Sequence, residues 1–366
     1  MKITDIKAYA LPRVVGEPTY HWRQGLPTEG PVGATVYSGL LKVETDEGIV
    51  GHAYARSGYR LADITLRRLK TEFIGQDPLL TEHLWHRIWE IDRLEEFQIH
   101  DLGLMDIACW DIKSQAAGLP IYQLLGGIDP KVPAYCSTVT WDTMDEYERY
   151  IKTAMDEGFF AFKLHATGDP RWDAELSHNL RAWTGPEADL MFDGSAGWDY
   201  VTALWFGRQL EEAGFYIYEE PMREFDLVSY AELCAALDIP VLAAETCDGC
   251  HWNAATWIQF GALDMMRVSV AFKGGFTGAM KVAHLAESCG MRAQVHGGGW
   301  HNAQLCAAIP NNDYYEQIVR DSEHIKRLKD SGPLSIVDGY LTVPETPGAG
   351  PQPDWDEVEA RAALIV

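Results

Sequence analysis

The chain has 366 residues, 47% hydrophobic and 11% aromatic, which is enough to bury a large domain beside a smaller one and excludes a disordered chain. A formal net charge of −24 repels phosphate backbones and excludes nucleic acid as the expected partner; a small anionic substrate would need a local cation to offset that field. No run approaches the roughly 18 apolar residues of a membrane span.

The opening MKITDIKAYALPR has neither the apolar core nor the cleavage site of a signal peptide. Seven cysteines, an odd number in a large chain, fit a reducing compartment, so the expected location is cytoplasmic. Cys247 and Cys250 form a lone CxxC, which without a second pair at zinc-like spacing does not make a metal site.

The first forty to fifty residues alternate as strands do, and Asp46-Glu47-Gly48 in TVYSGLLKVETDEGIVGHAYA is a hairpin turn. From about Leu61 to Gln115 the apolar spacing is helical, and Gly118-Leu119-Pro120 and Gly126-Gly127 end it. Residues 1–128 are therefore expected to form an α+β capping domain. Eight short apolar runs follow: VPAYCS, AFKLHA, DLMFDG, YIYEEP, PVLAAE, DMMRVS, RAQVHG and DYYEQ. Most are separated by amphipathic, alanine-rich segments, and their even spacing predicts a (β/α)8 barrel over residues 129–330, with a doubly wound open sheet as its rival. The turn-rich residues 331–366 are expected to pack back on the capping domain.

In such barrels chemistry sits where strands end and the following loops begin. Those positions hold Lys163 and His165, then Asp193, Glu219-Glu220, Glu245, Ser269, His296 and Glu316. Lys163 and His165 are two residues apart and so share one face of their strand. Asp193, Glu219 and Glu245 recur every 26 residues, one per βα unit. Three carboxylates at neighbouring buried strand ends repel one another, and the physical remedy is a divalent cation. All-oxygen ligation suits Mg²⁺. The competing reading makes each acid a helix cap. His296, before three glycines that leave room for a ligand, faces the Lys163/His165 pair across the expected barrel. A substrate carboxylate held at the metal would have its α-carbon between these bases, an arrangement suited to α-proton abstraction.

Several stretches taken in order carry a resemblance: MDIACWDIKSQAAGLPIYQLLGG, AFKLH, MFDGSAGW, YEEP, LAAET, KGGFTGAMKVAHLAE, QVHG and VDGYLTVPETPGAG. Together they resemble the enolase superfamily, specifically its mandelate racemase-like acid-sugar dehydratases, over essentially the whole chain. That resemblance implies Asp193, Glu219 and Glu245 as Mg²⁺ ligands, with Glu219 rather than Glu220 as the first residue of the family's E-E/Q-P motif. It implies Lys163 on the substrate carboxylate, His165 and His296 as acid/bases, and Glu316 on the enolate side opposite Lys163. A homo-oligomer is also implied.

One departure stands out. The family pairs its strand-seven histidine with an aspartate that here is Ser269, so His296 is expected to start neutral and His165 to carry more of the proton transfer. Lys273 reads equally as a site residue or as a surface or helix-start charge. His21, Arg23, Arg56, Tyr59, Trp300 and His301 are the expected substrate-binding loop residues, and their polarity favours a sugar acid and its dehydration to a 2-keto-3-deoxy acid. A racemase, epimerase or cycloisomerase on the same mechanism, and a catalytically silent sugar-acid binder, are the alternatives.

Overall fold

A computed structural model describes residues 1–17, 21–22, 26–27, 30–95 and 98–366. The N-terminal strands β1 (Ile3–Val14), the two-residue β2 (His21–Trp22) and β3 (Leu26–Pro27), β4 (Thr35–Thr45) and β5 (Val50–Ala55) come first. β1, β4 and β5 form an antiparallel meander. The β4–β5 turn falls on Asp46-Glu47-Gly48, where Gly48 takes φ 79° and donates its N–H to the Thr45 carbonyl at 3.1 Å.

Two long helices follow, Thr81–Glu95 and Ile99–Ala117; the second packs on this sheet and the first packs against the second. The second is buried on nearly every side because it lies between the sheet and the next domain. Two glycines let it approach both. A Cβ on Gly51 would overlap the Ala108 carbonyl, and one on Gly103 would stand 2.5 Å from the Gly274 carbonyl carbon. The helix ends at Gly118 with φ 65°.

Each of the eight apolar runs forms a strand: β6 (Lys131–Thr138), β7 (Ala161–His165), β8 (Asp189–Asp193), β9 (Ile217–Glu219), β10 (Val241–Ala243), β11 (Met265–Val268), β12 (Ala293–Val295) and β13 (Tyr315–Val319). Parallel ladders join β13 to β6 and then each strand to the next as far as β12. Inside, Tyr135, Ala161, Met191, Ile217, Leu242, Met265 and Tyr314 fill the barrel as a cluster separate from the larger core between strands and helices.

No ladder joins β12 to β13 among the described residues. That edge is joined instead through the segment preceding β13. The Ala293 N–H donates to the Asn311 carbonyl at 2.8 Å and the Val295 N–H to Asn312 Oδ1 at 2.9 Å. The Gln294 amide meets Asp313 between them.

The C-terminal residues touch both domains. The hairpin β14 (Ile336–Val337) and β15 (Tyr340–Thr342) adds antiparallel to β6, and β16 (Leu364–Ile365) pairs with β1. Among the described residues no helix is long and apolar enough to cross a membrane.

Candidate active site

The barrel register places the acidic stations side by side. His165 pairs with Asp193, Asp193 with Glu219, and Glu219 with Leu242. Lys163 is buried on the same inward face as His165. Its Nζ lies 2.8 Å from Glu219 Oε2, 2.9 Å from Glu316 Oε1 and 4.0 Å from Asp193 Oδ2. Glu316 was expected on the side opposite Lys163, but the two are directly paired because β13 and β7 both flank β6. Ser137 on β6, between them, donates to the same Glu316 oxygen at 2.9 Å. Burial opposes the Lys163 ammonium, yet Glu219 and Glu316 outweigh it and hold its pKa well above the ordinary lysine value.

The chain leaves these strands by left-handed backbone. Ser195 (φ 50°), Ala196 (φ 53°), Glu220 (φ 40°) and Ala244 (φ 73°) follow or adjoin Asp193, Glu219 and Glu245, and Gly297 (φ 77°) follows His296. The non-glycine residues among them cost about 1–3 kcal/mol each, and such strain clusters where geometry serves a site. At Glu220 the kink separates two adjacent carboxylates. Glu219 faces Lys163, whereas Glu220 Oε1 accepts the Glu245 N–H at 2.8 Å.

Arg267 on β11 joins the cluster without any mark in the sequence as a site residue. It is 1% exposed, with Nε 2.6 Å from Glu219 Oε1 and Nη2 2.9 Å from Glu316 Oε2. It also donates to the Tyr135 hydroxyl and the Val295 carbonyl, both at 3.1 Å. A single arginine inside an apolar strand run carries no spacing signal; only the barrel brings its partners together.

The two histidines rest on different acceptors. His165 Nδ1 lies 2.7 Å from the Thr138 carbonyl, which only accepts, so Nδ1 carries the proton and Nε2 holds the lone pair of the neutral ring. Nε2 lies 3.4 Å from Asp193 Oδ2. Burial pulls the His165 pKa below the ordinary value despite Asp193. His296 Nδ1 lies 3.1 Å from Glu245 Oε2 and 3.8 Å from Glu316 Oε2. Burial again disfavours the charge, but Glu245 outweighs it and raises the His296 pKa. The expectation of a His296 with no carboxylate partner is therefore corrected. Ser269 does replace the aspartate, and its Oγ accepts the Phe272 N–H at 3.1 Å, but Glu245 from the neighbouring β10 loop supplies the charge. Burial and Glu219 push Asp193 up to about 6, while His296, against burial, draws Glu245 down to about 2.

Four carboxylates (Asp193, Glu219, Glu245 and Glu316) thus meet two fixed cations (Lys163 and Arg267), leaving a net charge of −2 with both histidines neutral. Glu219, Glu245 and His296 present donor atoms that all lie within 4.8 Å of one another, and Asp193 stands next to Glu219 in register. This donor set and its uncompensated charge fit a hard divalent cation.

The loop candidates are not gathered into this cluster. Arg56 is exposed, and the half-exposed Tyr59 packs edge-on against Tyr37 with ring centroids 4.8 Å apart. Trp300 donates its indole N–H to the Gly348 carbonyl at 3.2 Å, so it faces the C-terminal return. His301 lies edge-on to Phe276 at 5.9 Å, and burial together with nearby His52 lowers its pKa to about 4. Of the first loop, Arg23 lies outside the described residues and His21 is described only as backbone in β2.

Lys273 is not a surface charge. It is 2% exposed and donates to the Ala244 and Cys247 carbonyls at 2.6 and 3.1 Å. Cys247 and Cys250 are buried free thiols, and burial raises both pKa values to about 12, the opposite of a reactive or ligating pair.

Residues 146–358 match the enolase C-terminal domain-like family, and residues 32–126 match the mandelate racemase / muconate lactonizing enzyme N-terminal domain. The chain is 28% identical to arabinonate dehydratase of Saccharolobus solfataricus, over 95% of this chain and 96% of that one. It is 27% identical to D-galactarolactone cycloisomerase of Agrobacterium fabrum, over 96% of both. Its structure matches that of D-glucarate dehydratase from Agrobacterium tumefaciens, crystallised with magnesium, with a TM-score of 0.87, 30% identity and complete coverage of both chains. A capping domain of the one kind on a barrel of the other, with carboxylates at successive strand ends, makes this chain a member of the enolase superfamily, in its mandelate racemase-like group.

Proposed function

We propose that the protein is a Mg²⁺-dependent acid-sugar dehydratase, which removes the α-proton of an aldonic or aldaric acid and expels the β-hydroxyl to leave a 2-keto-3-deoxy acid. The observation that carries this reading is the unequal setting of the two histidines. His165 rests its Nδ1 on the neutral Thr138 carbonyl, whereas His296 rests its Nδ1 on the Glu245 carboxylate. Dehydration needs one base for the α-proton and one acid for the departing hydroxyl, and these settings supply one of each. Racemisation needs a base on one face of the α-carbon and a proton donor on the other, with no leaving group to protonate.

Asp193, Glu219 and Glu245 would hold the cation, which supplies electrostatic stabilisation for the charge that develops on the substrate carboxylate. Lys163, a buried ammonium at the same place, donates to that carboxylate. His165 Nε2 takes the α-proton. His296 gives a proton to the β-hydroxyl, which leaves as water, and the enol product becomes the ketone. Glu316, fixed by Lys163, Arg267, Ser137 and the Gly297 N–H at 2.6 Å, holds the floor beneath the reacting carbons. Kinship with arabinonate and D-glucarate dehydratases supports the substrate class.

The test is a screen of aldonic and aldaric acids with Mg²⁺, scored by semicarbazide for 2-keto-3-deoxy products. Solvent deuterium entering the α-carbon with no such product would make the protein an isomerase instead, in line with its cycloisomerase relative. Turnover that survives a chelator would sink the carboxylate-cation reading.

A further inference from the structure

Glu245 leaves β10 through a strained turn, and the peptide group that carries it is held along both edges. That peptide joins Ala244, at φ 73°, to Glu245. Its carbonyl, the Ala244 oxygen, accepts from Lys273 Nζ at 2.6 Å, and its N–H, on Glu245, donates to Glu220 Oε1 at 2.8 Å. Lys273 reaches further along the same turn to the Cys247 carbonyl at 3.1 Å. Both side chains are buried, at 2% and 6% exposure, and neither has a part in the proposed proton transfers.

The surroundings keep Lys273 in place. A Cβ on Gly278 would overlap the Lys273 carbonyl oxygen, so only glycine lets that helix pack there, and Cys250 Sγ donates to the same oxygen at 3.4 Å. Glu220 is turned toward the peptide by its own left-handed backbone, φ 40°.

We infer that Lys273 and Glu220 are positioning residues that clamp the Ala244–Glu245 peptide from opposite edges and thereby aim the Glu245 carboxylate. Fixing a peptide plane on both edges fixes the torsions on either side of it, and so the direction in which the Glu245 side chain leaves the backbone. Partners of this kind, one step behind a ligand, typically govern metal affinity about 10–100-fold. The consequence for the cation rests on the proposed role of Glu245 as a ligand; the clamp itself does not.

Two measurements on the full chain separate these statements. In metal-free protein, Lys273→Met and Glu220→Leu are expected to speed hydrogen exchange across residues 244–247 by about tenfold or more, with the capping-domain sheet unchanged. Titration calorimetry with Mg²⁺ alone is expected to show affinity lowered about 10–100-fold in the same variants. Glu220→Gln keeps an acceptor oxygen and should restore both readouts to within a few-fold of the native chain. Unchanged exchange in the turn overturns the clamp, and faster exchange with native Mg²⁺ affinity overturns its part in aiming Glu245. If Lys273→Met does not fold, the contrast between Glu220→Leu and Glu220→Gln decides. The underlying reading is tested apart by Glu245→Gln: native Mg²⁺ affinity there removes Glu245 as a ligand, while the exchange data still judge the clamp.

Discussion

Lys163, His165, Asp193, Glu219, Glu245, His296 and Glu316 all stood out in the sequence because each ends, or nearly ends, an apolar run, and the barrel brings the seven together. Their division of labour was less legible, since it depends on contacts across strands. Ser269 suggested an unpartnered His296, yet the partner comes from the β10 loop. Arg267 was missed for the same reason: its carboxylate partners lie 48 and 49 positions away in the chain. The proposed roles make a clear residue-scale prediction. His165→Asn should lower kcat about 10²–10⁴-fold and stop solvent deuterium from entering the substrate α-carbon. His296→Asn should lower product formation by a similar factor while leaving that exchange running. Loss of exchange in His296→Asn with retention in His165→Asn would reverse the two assignments.

At the scale of elements, the eight strands and the β4–β5 hairpin were readable because apolar runs and turn residues are local signals. Close approaches between elements were not. Gly103 looks like any helix-interior glycine until Gly274 is found against it, and Gly103→Ala should therefore cost about 1–3 kcal/mol of stability through overpacking. The β12–β13 edge makes a second prediction. Asn312→Ala removes the acceptor of the buried Val295 N–H and should cost about 1–3 kcal/mol, whereas Asn312→Asp keeps an acceptor and should cost less. Denaturant midpoints at constant slope would measure both. An Asn312→Ala loss no greater than that of Asn312→Asp would show that the hydrogen bond contributes little.

Across the whole molecule, buried polar groups stitch cap, barrel and C-terminal return together. Asp106 on the cap helix accepts the Thr277 N–H and hydroxyl at 3.0 and 2.6 Å, and Asp111 accepts the His52 and Ala349 backbone N–H groups, both at 2.9 Å. His301 sits in this junction with a folded pKa near 4. Because that value lies below the unfolded one of about 6.5, the unfolded chain binds the extra proton, and stability falls as pH drops from about 6.5 toward 4. The loss attributable to His301 is on the order of 3 kcal/mol, and His301→Asn should flatten melting temperature against pH across that window. An unaltered slope would place the titrating group elsewhere. Saturating Mg²⁺ at about 100 times its Kd should add about 2.7 kcal/mol, and Glu245→Gln should blunt that gain.

The barrel edge described above also has a mechanical side. A cylinder held by backbone ladders on seven edges, and on the eighth by one backbone hydrogen bond and side chains instead of a ladder, has a built-in line of least resistance, like the split in a spring clip. His296 and Glu316 stand on opposite lips of that split, whereas Lys163, Asp193 and Glu219 ride on continuous ladders. Compliance is therefore concentrated between the acid and the floor of the site, and the cation ligands Asp193 and Glu219 sit on its stiff side. Under pressure or tension the Ala293 and Val295 amides should be the first in the barrel to open.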